Sequence, residues 1–148
     1  MNTLFENWNE GMVPIVNGIV FPDGVVWPVQ PADQPRPLPL SLIIMKEAET
    51  RLKEQTAWTG ALPSVEATES NIGRKAIAGE CGGGSDGFVA LFESNSEELI
   101  WVAFFDFSNP FEALSFDGDW VVARNNLGEI WRIPMAGSGA IEVLSALV

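Results

Sequence analysis

The 148-residue chain contains no histidine and no tyrosine, and its one cysteine is Cys81. Without histidine there is no Ser-His or Cys-His pair, and the commonest general base and metal ligand are missing. One cysteine and no histidine cannot build a tetrahedral Cys/His zinc site. A lone thiol cannot close an internal disulfide, which suits a reducing compartment. No apolar run approaches the roughly 18 residues needed to cross a membrane. The opening MNTLFENWNEG has neither a basic region nor a hydrophobic segment. No signal peptide is read there, so a cytoplasmic protein with no membrane role is expected.

Bases are scarce as well. Eight Lys and Arg stand against twenty Asp and Glu, for a net charge of −12. The imbalance is uneven: residues 1–75 carry −3, whereas residues 76–148 carry −9 and hold only Arg124 and Arg132 as bases. Such a field repels phosphate backbones and argues against nucleic-acid binding. It speeds association with a basic protein partner, an effect that salt weakens. The plainer use of the same charge is solubility for a chain with six Trp and nine Phe.

What is present is apolar and aromatic. Hydrophobic residues make up 47% of the chain, enough for one folded domain, 1–148, with a core of its own. An N-terminal β-hairpin region covers 1–31. There MVPIVNGIVFPDGVVWPVQP holds three short β-rich pieces, divided at Asn17-Gly18 and at Pro22-Asp23-Gly24. The Asn-Gly pair reads as a hairpin turn. Pro14, Pro22 and Pro28 restrict the pieces to strand ends or edges. Residues 31–39 form a proline-rich connector, stiff and extended, with a PxxP-like look.

Residues 40–57 carry the pattern of a helix. Ile44, Ala48 and Leu52 recur at four-residue spacing with Met45 beside them, and Glu47–Arg51 and Glu49–Lys53 are favourable i,i+4 pairs. Residues 59–75 are polar and mixed, and read as a loop. From Phe88 to Pro134, apolar runs alternate with Asn95-Ser96, Ser108-Asn109-Pro110, Asp117-Gly118 and Asn125-Asn126, as in consecutive antiparallel strands. Leu99–Phe107 is apolar on both faces and predicts a central strand. The tail 140–148 fits a last strand or a short helix. The expected fold class is α+β: an antiparallel meander of about six strands over 76–148, with one main helix packed on a face.

Few residues offer chemistry. The Cys81-Gly-Gly-Gly run lacks the GxxxxGK[ST] pattern and is flanked by Glu80 and Asp86, which oppose an anion; it reads as a flexible β-connection. Cys81 has no histidine partner and lies among acids, which disfavour a thiolate. Glu93, Glu97, Glu98, Asp117 and Asp119 fall in or beside turns, where they read as solvated acids or as contacts for a partner. Paired-carboxylate hydrolysis would need one of them in an apolar site. A calcium loop at Asp117-Gly118-Asp119 lacks the rest of its ligand pattern. Asp106, among three phenylalanines, calls for an arginine, Arg124 or Arg132, if it is buried. Trp101, Trp120 and Trp131 read as core residues first and as a binding platform second. No cofactor, metal or catalytic residue is expected.

The run LIWVAFFDFSNPFEAL followed by WVVARNNLGEIWRIP resembles the small acidic immunity proteins of bacterial toxin systems. The likeness covers residues 88–134 and rests on the SNPF turn and the NNLGEIWRIP ending. It implies a single α+β domain that is not an enzyme and that neutralises one cognate toxin. The partner contacts would be Glu93, Glu97, Glu98, Asp117 and Asp119, with exposed aromatics as anchors. The alternative is a small-ligand module with a pocket between helix and sheet, lined by Trp101, Trp120 or Trp131.

Overall fold

The computed structural model describes residues 4–29 and 38–145. Over these residues the chain is predominantly strand, with little helix. After a five-residue helix, Leu4–Trp8, come β1 (Met12–Pro14), β2 (Gly18–Val20), β3 (Val25–Pro28), β4 (Leu40–Ile44), β5 (Thr50–Arg51) and β6 (Trp58–Gly60). The longer strands follow: β7 (Leu62–Glu69), β8 (Arg74–Glu80), β9 (Gly87–Glu93), β10 (Leu99–Phe105), β11 (Phe111–Asp117), β12 (Trp120–Asn125), β13 (Glu129–Pro134) and β14 (Gly139–Ser145). They form three antiparallel sheets, ordered β5-β3-β2-β10-β9-β8-β7, β11-β12-β13-β14-β4 and β1-β6. No helix among the described residues is long and apolar enough to cross a membrane.

The seven-stranded and five-stranded sheets face each other across the main core. Trp101, Ala103 and Phe105 of β10 and Val89 and Leu91 of β9 meet Trp131, Ile133, Val121 and Val143 of the opposite sheet. At one corner a bridge between Val29 and Ile44 ties the end of β3 to β4. At the other, the Ser64 hydroxyl of β7 donates to the Phe111 carbonyl oxygen of β11 (3.1 Å). The other face of the seven-stranded sheet, with Val102, Phe104, Phe88 and Ala90, is roofed by Leu4 and Trp8 of the helix and by the β1–β6 ribbon. Covered on both faces and paired on both edges, β10 is the central strand that its apolar run predicts.

The α+β expectation is overturned. Residues 40–57 form no helix but β4, a single 3-10 turn at Lys46–Ala48, and β5. Leu40, Leu42 and Ile44 also satisfy a two-residue period, with Leu42 and Ile44 fully enclosed and Ser41 and Ile43 outward. The tie is broken by β14, which pairs with all five residues of β4. The helical pairs dissolve with it: Glu49 accepts from the Trp27 indole instead, and Arg51 donates to the Asp23 carbonyl oxygen. Residues 59–75 are likewise mostly strand, in β6, β7 and the start of β8. β7 is an edge strand with one face to solvent, so its alternating Glu and Thr made it look like a loop.

Asn17-Gly18 turns no hairpin, since β1 pairs with β6 and β2 with β3 and β10. The tail resolves as strand through Ser145. The proline-rich connector lies, but for Leu38 and Pro39, outside the described residues, as does the very end of the tail.

Candidate functional site

Antiparallel pairing decides which turns are neighbours. The β9–β10 turn carries Glu93, Glu97 and Glu98, and the β7–β8 turn touches it, with the Ser94 amide donating to the Gly73 carbonyl oxygen (2.9 Å). The β11–β12 turn carries Asp117 and Asp119, and the Met135 amide of the β13–β14 turn donates to the Asp119 carbonyl oxygen (2.8 Å). A cleft of about 370 Å³ joins the two groups, lined by Arg74, Ile100, Asp119, Pro134, Met135 and Ala136. All five acids singled out in the sequence therefore share one end of the molecule.

They are not equivalent there. Glu93 is paired with Arg74 (2.9 Å), Glu97 with Lys75 (2.9 Å) and Asp117 with Arg132 (3.0 Å). Arg132 also approaches Glu142 (3.5 Å) and stacks over Trp120. Glu98 and Asp119 are exposed and make no ion pair among the described residues. The Lys75 hydrogen bond holds the Glu97 carboxyl below its ordinary value. The same bond raises Lys75, against a smaller opposing pull from burial. No family model, curated protein or solved structure matches the chain.

The remaining candidates are framework. Cys81 is enclosed, and burial followed by the charges of Asp86 and Glu80 pushes its thiol up to about 12. The Asp86 carboxylate folds back to accept from the Cys81 and Gly83 amides (3.1 and 3.2 Å), so the glycine run is a stapled β-connection. Asp106 is exposed rather than buried and needs no arginine. Trp101 and Trp131 are fully enclosed, and only Trp120 of the three tryptophans is half-exposed. Without a helix over 40–57, the pocket between helix and sheet does not exist. No three Asp, Glu or Cys side chains among the described residues are placed to share a metal ion.

The two motifs that carry the resemblance turn out to be neighbours. The buried Asn125 amide donates to the Ser108 carbonyl oxygen (2.7 Å), and Asn109 donates to Asn126 (3.1 Å). Phe105, Phe107 and Phe111 pack around Trp131. Their shared role here is to hold the β10–β11 and β12–β13 turns together. The single α+β domain that the resemblance implies is not the fold of this chain.

Sequence reasoning passed over Trp27. Its ring meets Phe21 edge to face (4.6 Å, 66°) on the β2–β3 hairpin. The hint was a Phe and a Trp six residues apart across a Pro-Asp-Gly turn, which places them on one face of a short hairpin.

Proposed function

We propose that this protein is a non-enzymatic cytoplasmic inhibitor that binds a basic protein, a cognate bacterial toxin domain, and occludes its active or substrate-binding site. The observation that supports this reading is the gathering of Glu93, Glu97, Glu98, Asp117 and Asp119 at one end of a chain with net charge −12. The toxin as partner rests on the sequence resemblance. A negative field attracts a basic partner before contact, and the unmatched acids at this end give it a place to settle. The apolar wall of Ile100, Pro134 and Met135 then offers carbon surface between the acids, where a partner side chain can be desolvated.

Because Glu93, Glu97 and Asp117 are already matched internally, Glu98 and Asp119 present the least compensated charge of the five. The test begins with capture from the source organism at low and high salt, followed by association kinetics with the captured basic protein. Reversal of Asp117 and Asp119 together to lysine is expected to slow association about tenfold at low salt, with the difference shrinking at high salt. An unchanged on-rate removes this end as the docking surface.

The small-ligand alternative, as drawn from Trp101, Trp120 and Trp131, loses the helix that closed its pocket and the exposure of two of its three tryptophans.

A further inference from the structure

The Phe21–Trp27 corner packs only at the margin of the sandwich core and leaves aromatic surface beside an open groove. The two rings, with Pro22, Asp23 and Val25, border an open surface groove of about 390 Å³. That lies within the roughly 300–1,000 Å³ typical of small-molecule sites. The indole N–H of Trp27 is already used, donating to Glu49 Oε1 at 2.7 Å. What the tryptophan presents is therefore π surface, held in a fixed orientation. That surface already draws a cation: Lys46 Nζ sits 4.9 Å from the ring centroid. Two carboxylates border the corner, Asp23 at the turn and Glu49 on the indole. Two cations offset them locally, Lys46 and Arg51, the latter donating to the Asp23 carbonyl oxygen (2.8 Å). The chain as a whole carries −12.

We propose that this corner binds a small quaternary ammonium cation, independently of the inhibitor reading. Charge and aromatic surface alone would suit any cation. The hydrogen-bond inventory narrows the class. The groove wall is carbon from Phe21, Pro22, Val25 and Trp27, and one Asp23 oxygen is occupied by the Val25 amide (3.1 Å). Acceptors here are confined to the second Asp23 oxygen and to Glu49, already engaged by the indole. A primary ammonium or a guanidinium would therefore turn most of its N–H donors toward carbon, at a desolvation cost for each unpaired donor. A quaternary ammonium has no donors. Its charge is spread over methyl groups that pack on ring faces, the chemistry of aromatic cages. Lys46 acts as the internal competitor, since its charge near the ring weakens attraction for a second cation wherever that cation sits.

The probe is choline chloride, titrated into the full chain and read at the Trp27 indole N–H resonance, which a Trp27→Phe variant assigns. Sodium chloride and 3,3-dimethyl-1-butanol, the neutral carbon isostere of choline, serve as references. The expected result is a saturable shift with choline and binding about fivefold or more weaker for the isostere. Lys46→Met should tighten choline binding, and Phe21→Leu and Asp23→Asn should each weaken it while the remaining indole resonances stay in place. Absence of saturation overturns the proposal, as does equal binding of the isostere. Loosening by Lys46→Met overturns it too.

Discussion

The Asn125 side chain is fully buried and donates to the Ser108 carbonyl oxygen and to Glu129 Oε1, both at 2.7 Å. Its own oxygen accepts from the Leu127 and Glu129 amides (3.0 and 2.9 Å). Truncation to alanine leaves buried partners unmatched on two turns at once, so Asn125→Ala should cost about 2–3 kcal/mol in urea denaturation. A loss within the error of the melt would show that water replaces the amide. Cys81 poses the opposite case, a reactive group made inert. With its thiol pushed up to about 12 by burial, it should resist a thiol reagent at neutral pH until denaturant is added. Rapid labelling of the native protein would contradict the enclosed position. At the surface, the lowered Glu97 makes its contribution above the ordinary carboxylate range and loses it as pH falls through the folded value. The raised Lys75 contributes up to the ordinary lysine range and loses that as pH rises through its folded value. Glu97→Gln should therefore be less stable than the parent at neutral pH and match it in acid, as thermal melts across pH would record.

The elements depend on such residues where two backbones meet. A Cβ on Gly18 would lie 2.5 Å from the Trp27 carbonyl oxygen and 2.8 Å from Pro28 Cα on the paired strand β3. Both obstacles are backbone, so Gly18→Ala should destabilise by about 1–3 kcal/mol in chemical denaturation. An unaltered midpoint would mean that β2 and β3 can part there freely. The same hairpin shows what could be read from the sequence. Pro22-Asp23-Gly24 marked its turn because turn chemistry is local, whereas Asn17-Gly18 misled because Gly18 is needed for close approach to β3. Leu99–Phe107 announced itself as central because both of its faces are apolar, and the strand there ends at Phe105. Leu40–Ile44 did not announce itself as a strand. Its apolar spacing fits either period, and its partner β14 lies about a hundred residues further on. The acidic turns were visible one by one. That Glu93–Glu98 and Asp117–Asp119 share an end follows only from sheet order, and the internal pairing of three of the five follows from registers that no local pattern contains.

For the whole molecule, the division of the acids into matched and unmatched sets makes a prediction that composition alone cannot. Glu98→Gln with Asp119→Asn should slow capture of a basic partner more than Glu93→Gln with Asp117→Asn, although each pair removes the same formal charge. The second pair instead gives up weak ion pairs, each worth about 0–1 kcal/mol of stability, with Arg132 keeping its contact to Glu142. Equal effects from the two pairs would mean that only total charge matters. The sheet order has a consequence for synthesis as well. In the five-stranded sheet, β14 lies between β13 and β4, pairing with both. Until Gly139–Ser145 has left the ribosome, β4 has no lateral partner on that sheet, and only its bridge to Val29 holds it. Contacts between residues so far apart in the chain form slowly, because the intervening loop must close first. The nascent chain therefore carries β4 without its neighbour while the intervening residues are made, and completes the five-stranded sheet only when β14 pairs with it.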